Sequence, residues 1–440
     1  MTRPTTADLR GPEAVGDGGS STPAEVAGGA SEATGPAPAR RYFSGFEVLR
    51  AVAAVMVVVH HADAYAGPAR AGRFHELAAV ADGGVAVFFV LSGFLITRPF
   101  IAAHLADRAP QRTIEFWWRR VLRIVPAYWA VLTFFWALGS FRLGHDWWRY
   151  YLFLQIYSKD TALGGVVQAW SLCTEMSFYL VVPLWALFVR RVATGSLRSR
   201  VRVQFSVVAL IWVAGVTSRV VVERVAPSYR GLSFDWLPTN LDLFAAGMAL
   251  AVASVWSTHD DGVRAKLDRV ARRSEPWWLV AAGLFAWYAY RVGPAPSFEV
   301  GYSGWFWHRR QLVLAAFTVL LLVPAVFGPT TDRGLRRAWS WRPLAWIGTV
   351  SYGLYLWHFD WMKRSIAHVD PFGQTGWDGW VRTPPGNSSF AWLLAVGLGA
   401  GLLFAATSWY LLEQPLQRFK DLASGRLGGR GALGSRRPRR

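Results

Sequence analysis

Apolar runs long enough to cross a bilayer recur along almost the whole chain. Ten can be read, at residues 44–64, 82–101, 124–141, 170–189, 205–222, 240–256, 276–291, 311–328, 343–362 and 390–412. A soluble helix of that length would show one polar and one apolar face, and these runs mostly do not. No long polar linker divides them. The expected architecture is therefore an all-α polytopic membrane protein, with about ten transmembrane helices in one bundle over residues 42–418. Residues 1–41, rich in Pro, Ala, Gly, Ser, Thr and Glu, are expected to form a disordered tail. They lack the basic-then-apolar order of a signal peptide, so the first span should insert as its own signal.

Charge refines the topology. The 440-residue chain holds 47 Lys and Arg against 28 Asp and Glu, a net charge of +19. Such a balance raises the question of nucleic acid. With the N-terminus inside, however, every segment placed inside is richer in Lys and Arg than any loop placed outside, as the positive-inside rule requires. The excess charge thus reads as topology. Both termini are expected to be cytoplasmic, no nucleic acid is expected as a partner, and the basic tail at 419–440 should lie disordered at an anionic membrane surface.

Ionisable groups inside the spans are costly unless paired or wet, so they mark candidate chemistry. The first span, FEVLRAVAAVMVVVHHADAYAG (46–67), holds Arg50, His60 and His61. Eleven residues separate Arg50 from His61, about 16 Å of rise and within about 20° of three whole turns. The two therefore share a face, with Arg50 towards the inside and His61 towards the outside. His60 is turned about 100° away. The outer half also receives Glu175 and His358, and Ser92 falls near mid-depth. Arg98, Arg120 and Arg123 join Arg50 in the inner half, while Arg119 reads as a topology signal. A cationic inner mouth suits an anionic cytosolic ligand, because guanidinium forks match phosphate oxygens. An outer histidine with a carboxylate nearby suits general-base chemistry.

Other chemistries find little support. Cys173 is the only cysteine, so neither an intrachain disulfide nor a cysteine metal site is available. HExxH, GxxxxGK[ST] and GxSxG do not occur, and no metal is expected. Buried His, Glu and Arg would also serve a transporter or flippase as a proton relay, and this remains the alternative reading. No internal repeat of the transporter kind is visible.

Six motifs occur in order between residue 46 and about 418. They are Arg50-x10-His61, FFVLSGFLIT (88–97), RRVLRIVPAYW (119–129), WSLCTEMSFY (170–179), SYGLYLWH (351–358) and LLEQP (411–415). In this set the chain resembles the acyltransferase family 3 membrane proteins, which O-acylate bacterial surface sugars, peptidoglycan and some macrolides. The motif spacing selects His61 over His60. Two positions depart from the family pattern. Glu47-Val48 stands where Asp-Gly is usual, and Met176 replaces the second acid of the Trp-Ser-Leu motif, leaving Glu175 alone.

The resemblance implies a multi-pass protein of the bacterial inner membrane. It implies an acyl-CoA co-substrate, acetyl-CoA first, with no bound cofactor. The acceptor would be a hydroxylated glycan, a lipid-linked sugar or a macrolide. His61 would be the general base, with Glu175 orienting it or stabilising its charge. Arg50, Arg98, Arg120, Arg123 and Ser92 would bind the donor. His358, Trp170 and Tyr355 are candidates for the acceptor side, with the outer loop 363–389. The large esterase-like domain that some members carry is expected to be a separate chain or unnecessary.

Overall fold

The computed structural model describes residues 45–66, 74–293, 303–328, 341–366 and 389–424, with Phe43, Arg337 and Trp339 besides. The expected N-terminal tail, most of the C-terminal tail and most of the 363–389 loop lie outside the described residues. Among those described, every regular element is helical and no strand occurs. Eleven of the helices frame the site. They are α1 (Gly45–Ala66), α2 (Gly84–Leu105), α3 (Thr113–Ala137), α4 (Trp170–Val192), α5 (Leu197–Val225), α6 (Leu237–Trp256), α7 (Glu275–Arg291), α8 (Gly304–Phe327), α9 (Arg342–Thr349), α10 (Ser351–Ser365) and α11 (Phe390–Ser408).

Seven of the helical stretches are long and apolar enough to cross a membrane, those containing α1, α2, α4, α5, α6, α8 and α11. The three other expected spans also coincide with helices but fall short for identifiable reasons. α3 carries Glu115, Arg119, Arg120 and Arg123. It stops at Ala137 rather than 141, because Gly139, at φ 72°, closes a Schellman cap. There the Ser140 N–H donates to Phe135 O and the Gly139 N–H to Trp136 O, each at 2.9 Å. α7 has 17 residues, about 25 Å of rise, less than the roughly 30 Å hydrocarbon thickness. The expected span at 343–362 is broken at Val350 into α9 and α10.

α2 and α6 form the centre of the bundle. Buried residues make up 78% of the apolar window of each, against 22% for α5 and α11 at the periphery. The two helices cross at a reciprocal pair of glycines. A Cβ on Gly93 would overlap the Phe244 carbonyl, and one on Gly247 would overlap the Val90 carbonyl. Small residues let membrane helices approach to backbone contact, where dispersion rather than hydrophobic transfer holds them. α1 lies against α2, α9, α10 and α11, so its polar stripe is enclosed by protein.

Arg219, the third arginine within an expected span, has a local task. Its guanidinium, 2% exposed, donates to Asp242 Oδ2 at 2.7 Å and to the Thr239 carbonyl at 2.6 Å. This pair ties α5 to α6, and removing one partner would strand a buried charge.

Candidate active site

The α1 stripe meets two separate sets of partners. At its far end, His61 Nδ1 and His358 Nε2 of α10 stand 2.9 Å apart. His358 Nδ1 in turn lies 2.9 Å from the Leu354 carbonyl, one helical turn earlier. His358 is fully buried. Gly401 of α11 backs it closely, since a Cβ there would lie 3.2 Å from His358 Cβ. The His61 ring lies on Phe359, with centroids 4.2 Å apart. His60 faces elsewhere, as the helical repeat requires. Its Nδ1 lies 2.9 Å from the Ala79 carbonyl in the short helix His75–Ala79.

At the other end, Glu175 of α4 gathers hydroxyl groups. Ser92 of α2 and Tyr179, one turn on along α4, both donate to its Oε1. Arg50 lies among Arg123, Glu175, Glu47 and Tyr179, and Arg120 among Tyr179, Arg123, Glu175 and Arg119. Glu413 also contributes. A π-helical turn at Trp409–Glu413, following α11, brings its buried carboxyl beside Arg123 and Arg50, where Ser408 donates to it at 3.1 Å. π-turns displace one residue from the α register, so Glu413 reaches a face that a continuous α-helix would deny it. Three clustered guanidiniums repel one another, and the interleaved carboxyls offset that.

The arginines expected to act together divide by their hydrogen bonds. Arg98 Nε donates to Ser254 on α6, 3.3 Å away, and its guanidinium lies over the Phe43 ring. Arg119 pairs with Asp421 at 3.1 Å. Among the described residues no protein acceptor takes a hydrogen bond from Arg50, Arg120 or Arg123, and Arg120 Nε is buried without a partner. Arg50, His61, Ser92, Arg120, Arg123 and Glu175 all keep partial exposure deep within the helices. They therefore line open space.

The residues expected on the acceptor side lie around the same helices. The Tyr355 hydroxyl donates to the Gln168 carbonyl at 2.6 Å and lies 2.7 Å from the Ser171 hydroxyl. Trp170 stays partly exposed, its ring edge-on to Phe89. His358, by contrast, has both ring nitrogens engaged by His61 and Leu354. Cys173 is buried, its thiol donating to the Ala169 carbonyl. Among the described residues no three His, Cys, Asp or Glu side chains are placed to hold a metal ion.

Sequence reasoning missed Tyr179, Glu413 and the Leu354 carbonyl. Tyr179 stands four residues after Glu175 in a motif already singled out, and helical spacing would have paired them. Glu413 stood inside LLEQP with no assigned task. A main-chain carbonyl has no sequence signal.

Comparison with known proteins adds a family. Residues 43–413 match the model of the acyltransferase domain. The chain is 24% identical to YrhL of Bacillus subtilis over 400 residues, covering 86% of this chain and 55% of YrhL. It is 26% identical to the peptidoglycan O-acetyltransferase OatA of Listeria monocytogenes over 340 residues, covering 73% of this chain and 49% of that protein. With the O-acetyltransferase OatA of Staphylococcus aureus the identity is 24% over 337 residues, covering 72% and 50%. The chain thus spans about half the length of the curated relatives it matches. No solved structure matches it.

Proposed function

The chain belongs to acyltransferase family 3, and from that premise we propose that it moves an acyl group, acetyl first, from cytosolic acyl-CoA to a hydroxyl of a carbohydrate or glycosylated acceptor. It would do so as a ten-span protein of the bacterial inner membrane with both termini cytoplasmic.

One observation carries the reading, the chain of contacts from His61 through His358 to Leu354. A carbonyl oxygen only accepts, so His358 Nδ1 must bear the proton of that contact. In a neutral imidazole Nε2 then carries the lone pair, and His61 Nδ1 must donate to it. His61 Nε2 is left as an unprotonated nitrogen on a ring that keeps partial exposure, as a general base requires. In the reaction, Nε2 takes the acceptor's proton as its oxygen attacks the thioester carbonyl. A C–O bond forms, the C–S bond breaks, and the proton passes to the departing CoA thiolate.

Glu175 was expected to orient His61, but its hydrogen bonds are to Ser92 and Tyr179. Glu175 lies within electrostatic range of Arg50 and Arg120, and the role that fits is to offset the charge of this cluster while Arg50, Arg120 and Arg123, whose donors are unspent, take the phosphates of the donor. Arg50→Ala is then expected to raise the KM for acetyl-CoA about 10- to 100-fold, the scale of one charge-assisted hydrogen bond. The acceptor KM should stay unchanged, and initial-rate measurements with each substrate varied in turn check it. The activity itself is tested by incubating membranes with labelled acetyl-CoA and a β-1,4-linked N-acetylglucosamine oligomer. Label in an alkali-labile ester on the sugar is expected. Solute counterflow without ester formation would favour the transporter reading instead.

A further inference from the structure

Five carboxyl side chains are buried among the described residues: Asp63, Asp235, Asp242, Asp360 and Glu413. Four have partners. His75 lies 3.0 Å from Asp63, Arg219 2.7 Å from Asp242 and Ser408 3.1 Å from Glu413, while Asp360, whose carboxyl oxygens make no hydrogen bond among the described residues, is paired in charge by Lys363 2.8 Å away. Asp235 differs. Its backbone N–H donates to the Leu232 carbonyl and its own carbonyl accepts from Thr174, but no described residue bonds to its carboxyl. The residue is only 2% exposed. Burying a polar group without a partner costs about 1–3 kcal/mol, so Asp235 is an expensive residue at this position.

Its surroundings suggest what offsets that cost. Asp235 ends the loop before α6 and is held against α4 through Thr174. The ring of Phe234 stands 5.6 Å from that of Trp170, which stays partly exposed. Tyr355 and Cys173 lie within electrostatic range of the Asp235 carboxyl. The Tyr355 ring, in turn, is 6.2 Å from that of His358. Burial pushes the Asp235 carboxyl well above the usual carboxylate range. A carboxyl kept neutral both donates and accepts, which matches a hydroxyl better than an ammonium.

We propose that Asp235 binds the acceptor, its carboxyl exchanging hydrogen bonds with a hydroxyl of a polyhydroxylated ring that rests on Trp170. The inference rests on the acyltransferase reading and assigns that site its acceptor contact. A carboxyl left unpaired in the free protein becomes paired when the sugar enters, so stability is given up for binding.

The test uses the full-length protein in detergent, with labelled acetyl-CoA and a β-1,4-linked N-acetylglucosamine oligomer. Asp235→Leu and Asp235→Ala should each raise the acceptor KM about tenfold or more, with the donor KM unmoved. Asp235→Asn, which can still donate and accept, should retain most of the affinity. Asp235→Leu should also melt at a higher temperature than the native protein, because it removes an unpaired polar group. An unchanged acceptor KM in the Ala variant, or a lowered melting temperature in the Leu variant, overturns the proposal. Native protein that forms no ester sinks the acyltransferase reading and this inference with it. Normal His61-dependent transfer with an unmoved acceptor KM in Asp235→Ala sinks this inference alone.

Discussion

His61→Ala is expected to lower acyl transfer about 10²- to 10⁴-fold, the contribution of a positioned general base, in a protein that still folds and inserts. The fold should tolerate the change, because His61 is partly exposed and its ring bridges no helices other than α1 and α10. His60→Ala is the matched control. His60 is its immediate neighbour, has the same chemistry and lies at the same depth, but its Nδ1 faces the Ala79 carbonyl. Its removal should change transfer only slightly. Parallel rates for the two variants would refute the assignment. The same pair of variants also separates two schemes. If the acyl group rests on His61 Nε2 before reaching the acceptor, labelled acetyl-CoA without acceptor should leave hydroxylamine-sensitive label on the native protein and on His60→Ala, but not on His61→Ala. With direct base catalysis none of the three is labelled.

Much of this site was legible in one helix. The eleven-residue interval from Arg50 to His61 and the 3.6-residue turn are enough to place both on one face and His60 off it. The helical membrane architecture was equally legible, because uninterrupted apolar runs leave the chain few alternatives. What escaped was the pairing between helices. Depth, estimated span by span, put His61 and Glu175 together in the outer half, but depth says nothing about which side of the bundle a helix occupies. Glu175 turns to Ser92 and Tyr179, and the partner of His61 comes from α10, 297 residues on. The break at Val350 and the π-turn at Trp409–Glu413 escaped for a related reason. Both are departures from α geometry made inside runs whose composition favours a continuous helix, and tertiary contacts decide them. Arg98 and Arg120 read alike in sequence, yet one is spent on Ser254 and the other has a free Nε. Only the packing of α2 against α6 separates them.

His358→Leu is expected to lower kcat about 10- to 100-fold, the scale of one hydrogen bond to a group that becomes charged in the transition state, with little change in either KM. The reason is positional. His358 is fully buried, and its Nδ1 is committed to a main-chain carbonyl that cannot donate. The contact therefore dictates which nitrogen of His61 carries the proton. Without it, the His61 ring is free to hold its proton on Nε2, where it blocks base catalysis, or to rotate on Phe359. Leucine fills the pocket between α10 and α11 without a polar atom, so the loss measured is not one of folding. His358→Gln supplies the discriminating arm. Its side-chain carbonyl can accept from His61 Nδ1 as the imidazole does, so transfer should recover most of the loss. His358→Asn is too short to reach His61 while still serving Leu354, and it should resemble the leucine variant. A structural role would rank the three by packing, with leucine or asparagine as good as glutamine. A role in acceptor binding would move the acceptor KM in all three. Only a role in setting the His61 proton predicts glutamine alone as the rescue, read in kcat.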